Sequence, residues 1–183
     1  MKTAGDNSTT IWTVGHSTRS LDEFTSLLTA HEITALVDVR SFPGSRRYPH
    51  FSKSALSLSL PSHGILYEHD PQLGGRRRPT SSSKNTAWKN ASFRAYADHM
   101  ESEEFRKGIE ALLQLASSNR VAIMCAEALW WRCHRSLIAD FLKSTGVEVI
   151  HILDNKKTEL HPYTSAARIV EGELSYEGLL PSE

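Results

Sequence analysis

Val121 to Cys125 is an unbroken apolar run with no polar residue at alternate positions. A strand with one wet face alternates in polarity; a short, uniformly apolar run is covered on both faces, as in a parallel sheet with helices on either side. The chain must then supply more such strands and helices to flank them, and it does. Ile11 to Val14 reads as a first strand, Ala35 to Val39 as a second, Ile65 to Glu68 as a third and Val147 to Leu153 as a fifth. Helix-period segments stand between them. Ser20 with Glu23 three positions on forms a capping box, ahead of an apolar face of Leu21, Phe24, Leu27 and Leu28. A second helix starts at Ser52, turns Ala55, Leu56 and Leu60 inward and ends at Pro61. Two more are expected from Ser92 to about Met100 and from Ser102, with the acidic first turn Glu103-Glu104, to about Ser118, and a last one from Cys133 to Thr145, closed by Gly146. Strands alternating with helices predict an α/β fold, a three-layer single domain with a mainly parallel sheet of about five strands.

The length of 183 residues suits one such domain, expected over residues 11–163, with 1–10 as a flexible leader and 164–183 as a peripheral C-terminal segment. Apolar stretches are far shorter than the ~18–20 residues a bilayer crossing needs, and the start lacks the apolar run of a signal peptide. The expectation is a soluble cytoplasmic protein with no membrane partner. Cys125 and Cys133 can form at most one disulfide and imply no disulfide framework. Nothing in the sequence fixes an oligomeric state.

A net charge of zero conceals an asymmetry. Residues 40–94 hold ten Lys or Arg against two acids, while residues 1–39 hold two against five and 95–183 nine against fourteen. A basic middle in an acidic frame attracts phosphates, of a nucleotide or along a nucleic-acid backbone. In open α/β sheets ligands bind beyond the carboxyl ends of the strands. There the sequence places Gly15-His16-Ser17-Thr18-Arg19, Asp38-Val39-Arg40-Ser41-Phe42-Pro43, Leu73-Gly74-Gly75-Arg76-Arg77-Arg78, and Cys125-Ala126-Glu127 followed by Trp131-Arg132-Cys133-His134-Arg135. The polar stretch from Pro71 to Asn90 is too rich in Gly, Pro and Ser to be regular and reads as a loop that orders around a ligand.

Within these phrases the chain resembles a known family, the bacterial and archaeal proteins grouped as domain of unknown function number 488. The resemblance spans roughly residues 11–163 and rests on Gly15-His16-Ser17-Thr18-Arg19, Val37-Asp38-Val39-Arg40, Leu73-Gly74-Gly75-Arg76, Cys125-Ala126-Glu127 and Arg132-Cys133-His134-Arg135. It names no reaction; its one functional implication is the DNA-repair label that some members carry.

The chemistry has to come from the residues. Glu127 and Asp38 are carboxylates at strand mouths, where a pair can act as acid, base or stabiliser of a cationic sugar. Alternatively each holds an arginine, Asp38 with Arg40 or Arg19 and Glu127 with Arg132 or Arg135. His16 can hydrogen-bond a base or carry a proton. For phosphate or nucleic-acid contacts the candidates are Ser17, Arg19, Arg40, Arg46, Arg47, Tyr48, Gly74, Gly75, Arg76, Arg77, Trp131, Arg132, His134 and Arg135. His50, Phe51, Trp88 and Trp130 add flat surfaces, with Phe42 and one of the adjacent tryptophans expected to pack inward.

Cys125 is an alternative nucleophile, since nearby arginines favour a thiolate, but Arg132 stands seven residues on, with Leu129, Trp130 and Trp131 intervening, unlike a phosphatase loop. A buried core cysteine is the competing reading. No ligand spacing suggests a metal, and no cofactor is expected. The function these residues favour is a small enzyme acting on nucleic acid, DNA favoured, or on a nucleotide, hydrolysing an N-glycosidic bond as a DNA-repair-type hydrolase. The alternatives are a thiol enzyme acting on phosphate or sulfur groups, and a binding module without catalysis.

Overall fold

The computed structural model describes residues 9–178. Five parallel strands form the body of one sheet: β1 (Thr10–Gly15), β2 (Ala35–Asp38), β3 (Leu66–His69), β4 (Val121–Cys125) and β5 (Glu148–Ile152). Their order is β3-β2-β4-β1-β5, and β6 (Thr158–Leu160) adds an antiparallel sixth strand beside β5. The apolar run Val121–Cys125 lies in the middle of this sheet, with Ala35 opposite Val121 on one side and Gly15 opposite Cys125 on the other.

Alternation in side-chain direction builds the three layers. Val121, Ile123 and Cys125 point to one face, against α3 (Ala91–His99), α4 (Glu103–Ala116) and α5 (Arg135–Ser144); Ala122 and Met124 point to the other, against α1 (Leu21–Ala30) and α2 (Lys53–Ser59). The expected Ser20–Glu23 capping box closes the start of α1, and Phe24, Leu27 and Leu28 are buried. Asn90, rather than Ser92, caps α3, while Ser102 caps α4 as its acidic first turn suggests. Gly146 takes a left-handed φ of 87° just after α5, a conformation open to glycine. Past α2 the chain does not stop at Pro61; it tightens into a 3-10 turn over Leu60–His63, whose first turn can hold a proline.

Three strands escape the sequence pattern. Besides β6, a hairpin of β7 (Arg168–Val170) and β8 (Glu173–Ser175) forms a separate two-stranded sheet. All three are three residues long and mainly exposed, so no apolar periodicity marks them. The segment read as peripheral also sends side chains inward: Ala166 and Tyr176 are buried, and the Tyr176 hydroxyl donates to Asp140. Of the expected leader, residues 1–8 lie outside the described residues, and Thr10 already begins β1; residues 179–183 also lie outside them. No helix among the described residues is long and apolar enough to cross a membrane.

Candidate functional site

The loops that leave β1, β2, β3 and β4 meet at the carboxyl edge of the sheet around two cavities. The first, about 550 Å³, is lined by Arg40, Ser41 and Phe42 after β2, Gly75 and Arg76 after β3, Ser92 and Phe93 at the start of α3, and Cys125 to Glu127 with Arg132 to His134 after β4. The second, about 560 Å³, is lined by His16 to Thr18 after β1, by Arg40, Phe42, Arg47 and Tyr48, and by Ala126 to Ala128. Arg40, Phe42, Ala126 and Glu127 line both. Close backbone approach makes this convergence possible. A Cβ on Gly15 would stand 1.9 Å from the carbonyl oxygen of Glu127, and one on Gly75 would stand 2.4 Å from Nδ1 of His134, so a side chain at either place would collide with the loop that carries the site.

Asp38 and Glu127 occupy opposite environments. Asp38 is fully buried at the end of β2 and lines neither cavity. Its Oδ1 accepts from Nε of Arg40 (2.8 Å) and from the Arg40 backbone N–H, and its Oδ2 accepts from Nη2 of Arg40 (2.6 Å) and from the Tyr67 hydroxyl (2.6 Å). Burial and the carboxylate beside it hold the Tyr67 hydroxyl well above its ordinary range. Asp38 thus serves as the anchor of Arg40. Glu127, two residues beyond β4, is exposed; among the described residues its carboxylate makes no ion pair and only a long 3.4 Å contact from the Leu129 N–H. Of the two arginines offered as its partner, Arg135 donates instead to its backbone carbonyl, and Arg132 lines the cavity and, among the described residues, makes no ion pair.

His16 is buried between these groups, with its ring stacked on Phe51 at 4.2 Å. Its Nε2 lies 3.2 Å from Nη1 of Arg40, which can only donate, so Nδ1 carries the proton and donates to the Ser17 carbonyl at 2.9 Å. Burial, joined by the Arg40 charge, lowers its pKa to about 4, leaving a neutral ring whose two nitrogens are both engaged. His16 therefore fixes Arg40. Ser17, beside it, takes a positive φ of 52° at the rim of the second cavity.

The basic candidates divide into spent and available. Arg19 donates to the carbonyls of Gly15 and Leu153. Arg77 donates to those of Gly74, Pro71 and Gln72 and pairs with Glu104. Gly74 packs against Ser41, and Arg46 is exposed outside both cavities. Arg47, lying 5.5 Å over the Tyr48 ring, and Arg76, 5.6 Å over the Phe42 ring, are exposed at the cavities with Arg132. Phe42 does not pack inward as expected: it is 72% exposed, because β2 ends at Asp38 and the chain has left the sheet by Phe42. Trp130 is buried and Trp131 is half exposed, but Trp131 lines neither cavity. Phe51 and Trp88, offered as flat surfaces for nucleic acid, pack in or against the core.

Beneath the first cavity lies a polar chain through the interior. Arg135, 1% exposed, donates Nε to Sγ of Cys125 (2.9 Å) and Nη1 to Oγ1 of Thr13 (3.1 Å). From Thr13 the chain continues to Nδ1 of His151 (2.6 Å), then from Nε2 of His151 to Nδ1 of His161 (2.9 Å), and from Nε2 of His161 to Oδ1 of Asp140 (2.9 Å). Burial, with His161 and Arg135 nearby, lowers the pKa of His151 to about 2, so its ring is neutral. One consistent set of protons follows: every donor from Arg135 onward points toward the Asp140 carboxylate, which also accepts from Thr164 and Tyr176. Trp130 stacks on His151 at 4.3 Å, clamping the loop that carries Glu127 onto this chain.

Cys125 is buried, as a core cysteine would be, yet both it and Cys133 line the first cavity, and their sulfurs are 2.7 Å apart. His134 donates Nε2–H to the Val39 carbonyl, so its Nδ1, 3.4 Å from Sγ of Cys133, is an acceptor. Among the described residues no group of three or more His, Cys, Asp or Glu is arranged to hold a metal ion. Sequence reasoning did not assign Cys133, Ser41 or Phe93 to the site, and it passed over the interior chain. The signal for the last was present in Thr13 and His151, polar residues within strands buried on both faces.

A protein-family model described as Domain of unknown function DUF488 matches residues 20–142. No curated protein matches, and no solved structure does.

Proposed function

Because the chain belongs to the DUF488 family, whose description names no activity, we propose from its own residues that it is a small enzyme acting on nucleic acid or a nucleotide, hydrolysing an N-glycosidic bond. The observation that carries this reading is that, among the described residues, Glu127 is the one carboxylate lining either of two adjoining cavities whose other charged lining is guanidinium, from Arg40, Arg47, Arg76 and Arg132. Such a cleft favours a polyanion. A carboxylate suits two tasks in glycoside hydrolysis: accepting a proton from the attacking water and stabilising the oxocarbenium charge that develops on the sugar. In this scheme water bonds to the anomeric carbon, the bond from that carbon to the base nitrogen breaks, and the base departs with the bonding electrons. Glu127 takes the water's proton. Arg47, Arg76 and Arg132 hold flanking phosphates, and exposed Phe42 offers a face for a base. Asp38 and His16 act through Arg40 as positioning residues.

The test is incubation of the full chain with damaged and undamaged oligonucleotides and with nucleotides, followed by mass analysis. Base loss that disappears in Glu127→Gln while binding persists supports the reading. Binding without any product leaves a binding module, and product that survives Glu127→Gln overturns the role of the carboxylate. A thiol enzyme is the second reading, favoured by the Cys125–Cys133 pair on the same cavity; Cys125→Ser should abolish that reaction and spare a carboxylate one.

A further inference from the structure

The Arg135 guanidinium is buried at the start of α5 with no carboxylate in contact with it among the described residues; its acceptors there are a sulfur, a hydroxyl and the carbonyls of Glu127 and Ala128. Asp140, the nearest anion along its hydrogen-bonded chain, is reached only through Thr13, His151 and His161. A buried charge is costly unless an opposite charge meets it. The group placed to do so is the pair of sulfurs, which can hold one proton between them and leave one thiolate against the guanidinium.

From this arrangement we propose that Cys125 and Cys133 form a site of reversible oxidation, in which a small hydroperoxide entering the first cavity converts the pair to an intramolecular disulfide. Cys133, the more accessible at 7% against 3%, is the attacking sulfur and Cys125 the resolving one. The Cys133 thiolate attacks the hydroperoxide; an S–O bond forms, the O–O bond breaks, and the departing alkoxide takes a proton and leaves as an alcohol, or as water from hydrogen peroxide. The Cys125 sulfur then attacks the sulfenic sulfur; the S–S bond forms, and the hydroxyl leaves with the Cys125 proton as water. The two electrons lost by the sulfurs are those the peroxide gains.

Three further observations support these roles. Nδ1 of His134 faces Cys133 as an acceptor and can take its proton. Burial pushes both thiols up, but the hydrogen bond from Cys125 and the Arg135 charge bring Cys133 back down to about 7, while Cys125 stays well above its ordinary value. Residues 126–132, which the disulfide would close into a loop, hold Glu127 and Arg132. Oxidation would also remove the negative charge that the sulfur pair can hold beside Arg135. That oxidation alters turnover through this loop rests on the reading of Glu127 above; the oxidation itself does not.

The chain has two cysteines, so the test is unambiguous. The reduced full chain is treated with a few equivalents of hydrogen peroxide and followed by intact mass and peptide mapping. The expected result is loss of two hydrogens and a Cys125–Cys133 linkage, reversed by dithiothreitol, with an oxidation rate that rises with pH around 7. Cys125→Ser should stop at a sulfenic acid that dimedone traps. The proposal is overturned if the folded chain stays reduced while urea-unfolded chain oxidises, if oxidation proceeds to sulfinic acid without linkage, or if only chain-to-chain disulfides form. Linkage with unchanged base release would keep the oxidation site and overturn its hold on Glu127.

Discussion

Replacing Asp38 by Asn should cost about 3–5 kcal/mol of stability, the scale of breaking a buried ion pair from one side. Asp38 is wholly buried and accepts four hydrogen bonds, three from Arg40 and one from Tyr67. An amide nitrogen in place of either carboxylate oxygen presents a donor to donors. Arg40, 8% exposed, then keeps the amide oxygen, the Phe51 carbonyl and Nε2 of His16 as acceptors, none of which carries a charge to meet its own. For a domain of this size each kcal/mol moves the melting temperature by about 2–4 °C, so a fall of roughly 6–20 °C is expected. Urea unfolding followed by tryptophan fluorescence should show a lower midpoint with unchanged slope. Combining Asp38→Asn with Arg40→Met removes the stranded charge and should restore part of the loss. A change below about 1 kcal/mol for Asp38→Asn would refute the assignment of Asp38 as the buried anchor of Arg40.

Acid should weaken the fold through its neutral histidines. His16 is held at about 4 and His151 at about 2, both below the ordinary value near 6.5, so their contribution is complete above about 6.5 and is lost as pH falls toward those folded values, at up to ~1.4 kcal/mol per pH unit for each ring. Urea melts between pH 7 and 4.5 should show this slope and a shallower one in His16→Gln; equal slopes would contradict the burial argument. Gly75→Ala should lose roughly 1–3 kcal/mol by pressing on the His134 ring, read from the same melts, whereas Gly44→Ala, with open space around it, should change little. Replacing Arg47, Arg76 and Arg132 together by Ala should flatten the salt dependence of oligonucleotide affinity by two to three contacts' worth, measured by anisotropy at several salt concentrations, and an unchanged slope would remove these arginines from the binding surface.

What the sequence made legible were the features set by neighbours a few residues apart. The Ser20–Glu23 box, the Ser102 cap and the apolar run of β4 each declare themselves within one helical turn or one strand, and each is found where the pattern put it. Features decided by distant partners stayed hidden. Arg76 and Arg77 are adjacent and chemically alike, yet Arg77 is absorbed by three carbonyls and Glu104 while Arg76 remains at the cavity. Asp38 and Glu127 both follow apolar runs; Asp38 still belongs to its strand and is sealed in by the sheet, whereas Glu127 has passed beyond β4 into the loop. The hydrogen-bonded chain from Arg135 to Asp140 was hidden for the same reason, since it joins β1, β5, α5 and the residue just past β6. Strands β6, β7 and β8 left no pattern because three residues that bury almost nothing carry no periodicity.

The central claim is that Glu127 serves turnover and not folding, and the comparison of Glu127→Gln with the parent chain tests it most directly. The variant keeps shape and some hydrogen bonding and removes only the charge of an exposed carboxylate that makes no ion pair among the described residues. Base release from the oligonucleotide substrate should fall on the order of a hundredfold or more, the scale of a lost general base, while the unfolding free energy from urea melts stays within about 0.5 kcal/mol of the parent. A variant that loses several kcal/mol of stability yet retains base release per folded molecule would contradict the account.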